Sequence, residues 1–152
     1  MTEEISFTVW FMVPLPPACL RSNARTHWAK RKQAADAYSH EVESAVWDET
    51  RSQYPRSLRW NYVYPWAKAH VTYTWRYAGK KPDHSNLGGN TKYLQDILCM
   101  APKLPPAQAE VYKRWHLGLV EDDSGITAEF KLERVRHKRD ECVLVTLRRE
   151  DG

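Results

Sequence analysis

"AKAHVTYTWRY", residues 67–77, alternates without a break: Ala67, Ala69, Val71, Tyr73, Trp75 and Tyr77 fall on one side, and Lys68, His70, Thr72, Thr74 and Arg76 on the other. Successive side chains of a strand point to opposite faces. A period of two therefore predicts a half-buried strand, antiparallel or at a sheet edge, with its apolar side turned to a core. A second alternation sets Ile126, Ala128, Phe130 and Leu132 against Thr127, Glu129, Lys131 and Glu133, and "CVLVTLR" at 142–148 reads as a further strand. The basic connection between them, "RVRHKRDE" at 134–141, is expected to form an exposed hairpin end. "ISFTVWFMV" at 5–13 is β-branched and aromatic and stops at "PLPP", as a strand running into a rigid loop does.

Two stretches carry a helical period instead. From 27 to 49, Ala35, Tyr38, Val42, Ala45 and Val46 recur at three-to-four spacing, which predicts a helix laying one face on the sheet. The second helix is expected over 90–100, with Thr91, Leu94 and Leu98 inward and Lys92 and Asp96 four apart on one side. Gly88 and Gly89 each weaken a helix interior by about 1 kcal/mol, so its start is placed at Asn90 as N-cap. Residues 51–66, with two prolines, read as a connection; residues 101–117 open with three prolines and read as a lengthened loop closing on a short helical turn. No internal repeat or low-complexity segment interrupts the pattern. The expectation is an α+β fold: a single domain over 1–152, with a mixed or antiparallel sheet of about four strands packed with two main helices.

A chain of 152 residues can bury about two-thirds of its unfolded surface around one core. Hydrophobic content of 42% with 28% charged residues is ordinary for a soluble globular protein, and no apolar run approaches a membrane span. "MTEEISFTVW" does not read as a signal peptide. Three widely spaced cysteines, Cys19, Cys99 and Cys142, match neither a zinc site nor a disulfide scaffold, which points to a reduced, cytoplasmic setting.

Net charge is +4 and the pI is near 9.0, with basic residues clustered at 21–32, 76–81 and 131–139. Such clusters suit a polyanion such as nucleic acid, or else form solvated faces. Lys30, Arg31 and Lys32 stand in the first turn of the long helix, where the dipole disfavours cations and favours a bound phosphate.

The acidic residues gather in two places, "KKPDHSNLGGNTKYLQDIL" at 80–98 and "GLVEDDSGI" at 118–126. Asp83 leaves a strand, Asp96 lies on the following helix, and Asp122 and Asp123 precede the next strand. Mg²⁺ takes one or two carboxylates plus waters and substrate phosphate, so the set is a candidate metal site, with Lys92 placed to stabilise charge developing on a phosphate. Asp-Asp-Ser-Gly is also ordinary turn chemistry. No G-x-S-x-G, Walker A or G-x-G-x-x-G motif occurs, so neither serine chemistry nor a nucleotide cofactor has support.

The ordered set "PLPPACLRSNARTHW", an alternating strand, "PDHSNL…K…DIL" and "GLVEDDSGI" resembles the RusA-like Holliday junction resolvases over most of the chain. That family typically reads D-x-D-N-L-x-K-x-x-x-D-x-L followed by a Gly-x-x-x-Asp-Asp element. The resemblance implies a homodimer that cuts four-way DNA junctions with Mg²⁺, for which Mn²⁺ can substitute. It implies catalytic roles for Asp83, Lys92, Asp96 and Asp123, and metal ligation by Asp83, Asp122 and Asp123, with Asp123 the more important of the pair. Asn23, His27, Lys30, Arg31, Lys80, Lys81 and Asn86 are the expected DNA contacts. The family also suggests a bacterial cytoplasm and a phage or prophage source.

Three departures stand out. Ser85 occupies the position of the motif's second aspartate, and Lys92 and Asp96 align only after three extra residues, Gly88 to Asn90, are allowed for. The link from Leu98 to Asp122 is also longer than usual, and its run "VYKRWH" at 111–116 suits either base stacking or surface packing. The loss of a carboxylate at Ser85 opens the alternative of a branched-DNA-binding protein with weakened or absent catalysis.

Overall fold

The computed structural model describes residues 8–21, 27–53, 65–100 and 116–150. Its organising feature is a row of side chains crossing one sheet face: Phe11, Val145, Tyr73 and Phe130 are register partners on four successive strands. The strands are β1 (Thr8–Val13), β2 (Ala69–Tyr77), β3 (Ile126–Arg134) and β4 (Cys142–Arg149), in the order β1-β4-β2-β3. β4 runs antiparallel to both neighbours, and β2 and β3 are parallel. The sheet is therefore mixed, and with two helices it forms the expected α+β arrangement in one domain.

The alternation in 69–77 is obeyed: Ala69, Val71, Tyr73, Trp75 and Tyr77 are buried and the residues between them are half-buried. β2 is nevertheless an interior strand and not an edge, because β4 covers one side and β3 the other. The expected hairpin at 134–141 is also corrected. β3 and β4 are not neighbours, so residues 135–141 carry the chain past β2, with Val135 N–H donating to Tyr77 O at 2.8 Å.

Helix α1 (Trp28–Gln53) runs past the expected end at 49 and into the expected connection; residues 54–64 lie outside the described residues. It buries Ala35, Tyr38, Val42 and Val46, and Tyr38 OH donates to Pro14 O at 2.8 Å, tying α1 to the end of β1. Helix α2 (Leu87–Leu98) starts before the expected Asn90, with Asn86 as cap. Leu87 is fully buried, and fixing it in the core outweighs the glycine propensity that argued for a later start. Leu94, Ile97, Leu98 and Thr91 complete the inward face. Trp75 Nε1 donates to Thr91 Oγ1 at 2.9 Å and Tyr73 OH to Gln95 Oε1 at 3.2 Å, so α2 crosses over β2 between two parallel strands.

Both helices cover the sheet face carrying the Phe11–Phe130 row. The other face is polar and partly open, with Trp10 and Met12 exposed. No helix among the described residues is long and apolar enough to cross a membrane. The strand expected over 5–13 is described from Thr8, and most of the lengthened loop, 101–115, lies outside the described residues.

Candidate active site

The site is assembled by a small backbone junction beneath it. Leu119 and Val120 are fully buried, and Val120 bridges in parallel to both Trp66 and Cys99. Trp66 N–H donates to Leu119 O and Glu121 N–H to Trp66 O, each at 2.9 Å; Leu119 N–H donates to Leu98 O at 2.8 Å and Met100 N–H to Val120 O at 2.9 Å. His116 Nδ1 lies 2.8 Å from Asp96 O, so the chain returning from the lengthened loop is seated on the end of α2. This pins the segment before Asp122 between the end of α2 and the approach to β2.

The acidic turn follows at once. Asp122 caps it, its Oδ1 accepting from Asp123 N–H at 2.8 Å and its Oδ2 from Ser124 Oγ at 2.9 Å. Asp123 turns the other way, toward α2: Lys92 Nζ lies 2.9 Å from Asp123 Oδ2 and 3.2 Å from Asp96 Oδ1. One ammonium thus joins carboxylates from the two acidic stretches. The bond from Lys92, with the neighbouring Asp122 side chain next, holds the Asp123 carboxyl below the usual carboxylate range, and the bond to Asp123 raises the Lys92 ammonium above the ordinary lysine value. Lys92, Asp122 and Asp123 are exposed and Asp96 is half-buried.

Under this cluster sits the Cys99 thiol, pushed up to about 12 by burial and then by Asp123, Asp96 and Asp122. It is protonated and donates to Gln95 O at 3.4 Å, a packing role.

Asp83 stands apart. Its Oδ1 accepts from Ser85 N–H at 3.1 Å and from Ser85 Oγ at 2.9 Å, and these bonds lower its pKa. Neighbouring His84 Nε2 lies 3.0 Å from Phe130 O, midway along β3. The parallel pairing explains the separation. Asp122 and Asp123 precede the first residue of β3, whereas Asp83 follows the exit of β2 and precedes the start of α2 at Leu87. No described contact joins Asp83 to Lys92, Asp96, Asp122 or Asp123.

Among the described residues, no group of three or more His, Cys, Asp or Glu side chains is placed to hold a metal ion. Asp122 and Asp123 are adjacent exposed carboxylates, but both oxygens of Asp122 accept within its own turn and the Lys92 ammonium rests between Asp123 and Asp96. Mg²⁺ needs only one or two protein carboxylates when waters and phosphate supply the rest.

Of the expected DNA contacts, Lys30, Arg31, Lys80, Lys81 and Asn86 are exposed, and His27 is exposed beside Trp28, with ring centroids 5.7 Å apart. Asn23 lies outside the described residues. Sequence reasoning passed over Trp66, Leu119, Val120 and Gly125, which position the acidic turn. The signal for three of them was present as an apolar pair directly before "EDDSG" and a glycine directly after its serine.

Comparison of the chain with protein-family models, with curated proteins and with solved structures gives no significant match in any of the three.

Proposed function

We propose that the protein is a divalent-metal-dependent, structure-selective endodeoxyribonuclease of the RusA type, acting on four-way or otherwise branched DNA by phosphodiester hydrolysis. The observation that supports it best is the Lys92 bridge. A lysine and an aspartate separated by 31 positions in the chain meet at 2.9 Å, and they belong to the two motif elements whose order suggested the family. In this reading Asp123, with Asp122 or Asp96 beside it, holds Mg²⁺ or Mn²⁺. The ion, when bound, lowers the pKa of a water nucleophile and neutralises charge on the phosphate. Lys92 stabilises charge on the phosphate in the transition state. Lys80, Lys81, Lys30 and Arg31 grip the backbone, which makes binding fall steeply with salt. A junction has approximate two-fold symmetry, and a C2 dimer with one site per subunit makes paired incisions most simply.

The test is direct. Purified protein with Mg²⁺ nicks a synthetic four-way junction, and Asp123→Asn lowers the rate by two orders of magnitude or more, about the loss expected for a group acting on the transition state. Asp83→Asn is measured alongside it. If both variants cut as fast as the wild type, the assigned site is wrong.

The closure of Asp83 on Ser85 favours a second reading, a protein that binds branched DNA without cutting it. Junction binding with no Mg²⁺- or Mn²⁺-dependent cleavage, unchanged in Ser85→Asp, decides for that reading. Cleavage gained in Ser85→Asp decides for a site that has lost one ligand.

A further inference from the structure

Trp28 is the most exposed large apolar side chain among the described residues, 72% open to solvent, and it stands at the first position of α1. The helix does not need it there as a cap: Ala29 N–H donates to His27 Nδ1 at 3.3 Å and Arg31 N–H to His27 O at 3.0 Å, so His27 already closes the start of α1. The His27 ring also flanks the indole, with centroids 5.7 Å apart, and steadies it. Arg31 and Lys32 follow three and four residues on, the spacing at which helix side chains share a face, and helix side chains lean toward the N-terminus. Both cations are therefore carried toward the Trp28 ring. They are exposed, as is Lys30, and among the described residues no carboxylate pairs with any of the three.

The other exposed large apolar side chains, Trp10, Met12 and Met100, lie on β1 or just after α2, not on α1. Beyond Trp28 the solvent side of α1 continues with Gln33, Ala37, His40, Glu41 and Ser44. A helix that lies on a membrane or fills a groove in a protein needs an apolar stripe at three-to-four spacing. A single indole among unpaired cations matches a different partner, a nucleic acid strand whose base stacks on the ring while its phosphates meet the cations. We propose that Trp28 stacks on an unpaired base of a nucleic acid, with Arg31 and Lys32 on the flanking phosphates. The proposal rests on the proposed function only for the source of that base, a branch point where pairing frays; the stacking chemistry is the same for any single strand. A closed duplex hides its base faces, so the platform favours unpaired over paired nucleotides.

The experiment measures fluorescence anisotropy of a labelled oligothymidylate and of a blunt duplex of equal length, using the full chain in EDTA so that neither is cut. Trp28→Ala should weaken single-strand binding by on the order of tenfold, the loss typical of one stacked base, and leave duplex binding nearly unchanged. Trp28→Phe, which keeps an aromatic face, should retain most of the affinity. Arg31→Gln combined with Lys32→Gln should weaken both ligands and lower the single-strand salt slope by about 1.4, two charges at about 0.7 each. These side chains lie outside the core, so the variants keep the fold. The proposal is overturned if Trp28→Ala holds the single strand as tightly as the wild type, if Trp28→Phe loses as much as Trp28→Ala, or if duplex binding falls by the same factor. It is also overturned if the wild type ignores the single strand, whether or not it binds phosphatidylserine vesicles through Trp28 as a membrane anchor would. A wild type that never nicks a junction, yet grips the single strand through Trp28, sinks the functional reading and supports the stacking. A wild type that nicks junctions, with full single-strand affinity in Trp28→Ala, sinks the stacking alone.

Discussion

Gly125 closes the turn that carries Asp122 and Asp123. A Cβ on it would run into the carbonyl oxygen of Ala67, with the Ala67 carbonyl carbon 3.2 Å away, and this obstacle is backbone that no rotamer change relieves. Glycine is needed here by close approach of two chain segments. Gly125→Ala is expected to lift the turn off the approach to β2 and to cost about 1–3 kcal/mol, the usual range for overpacking. Urea denaturation measures the loss. Nuclear magnetic resonance of the Lys92 side chain should show its raised pKa returning toward the ordinary lysine value as the contact with Asp123 opens. A Gly125→Ala protein as stable as the parent, with the Lys92 shift intact, counts against the close approach. At this scale the sequence pattern was informative about which residues matter and silent about how they differ. Asp122 and Asp123 look equivalent as letters. In space one spends both oxygens on its own turn and the other faces Lys92, because neighbouring residues of an extended-to-turn segment point in different directions.

At the scale of elements, α2 is where local propensity and the fold disagree. Gly88 stands in its first turn, and an added Cβ there would meet only the Phe130 ring at 3.9–4.0 Å, an ordinary contact. Gly88→Ala is therefore expected to raise stability by about 0.5–1 kcal/mol through helix propensity and reduced unfolded-chain entropy. The readout is a higher urea midpoint at unchanged slope; a lower midpoint would mean that the start of α2 is under a constraint the contact distances do not reveal. The start of α2 was misjudged from sequence because the burial of Leu87 depends on the sheet beneath it. The same limitation hid the strand order. Alternation states that one side of β2 is buried, and it carries no information on which strands supply its hydrogen-bond partners. Adjacent strands in sequence, β3 and β4, were paired by proximity along the chain, whereas β2 lies between them. That parallel β2–β3 pairing is also what sets Asp123 before the entry of β3 and Asp83 after the exit of β2, an arrangement that spacing along the chain could not convey.

For the molecule as a whole, the core sets the response to pH. Tyr38 and Tyr73 are raised above the ordinary tyrosine value chiefly by burial, and the Cys99 thiol is pushed up to about 12. In the unfolded chain the thiol releases its proton from about pH 8.5 and the phenols from about pH 10. The unfolded state then holds fewer protons than the native state, so stability falls as pH rises above about 8.5. Lys92 acts in the same direction. Its raised pKa contributes stability that is complete below the ordinary lysine value and is lost as pH rises through the native one. On the acid side, Asp83 and Asp123 have lowered values, so their contribution is present above the ordinary carboxylate range and is lost as pH falls below it. The expected profile is a plateau from about pH 5 to about 8.5, with a steeper loss on the alkaline side, where buried groups and not exposed ones are forced to ionise. Urea midpoints at pH 7.5 and 10.5 test this. The midpoint should drop at pH 10.5, and tyrosinate absorbance from the buried phenols should appear only as the protein unfolds. Tyr73→Phe removes one titrating phenol and the bond to Gln95, so it should be less stable at pH 7.5 yet lose less on moving to pH 10.5. Equal losses in the two proteins would mean that Tyr73 ionises in place, and the packing of α2 over β2 would then be looser than its hydrogen bonds imply.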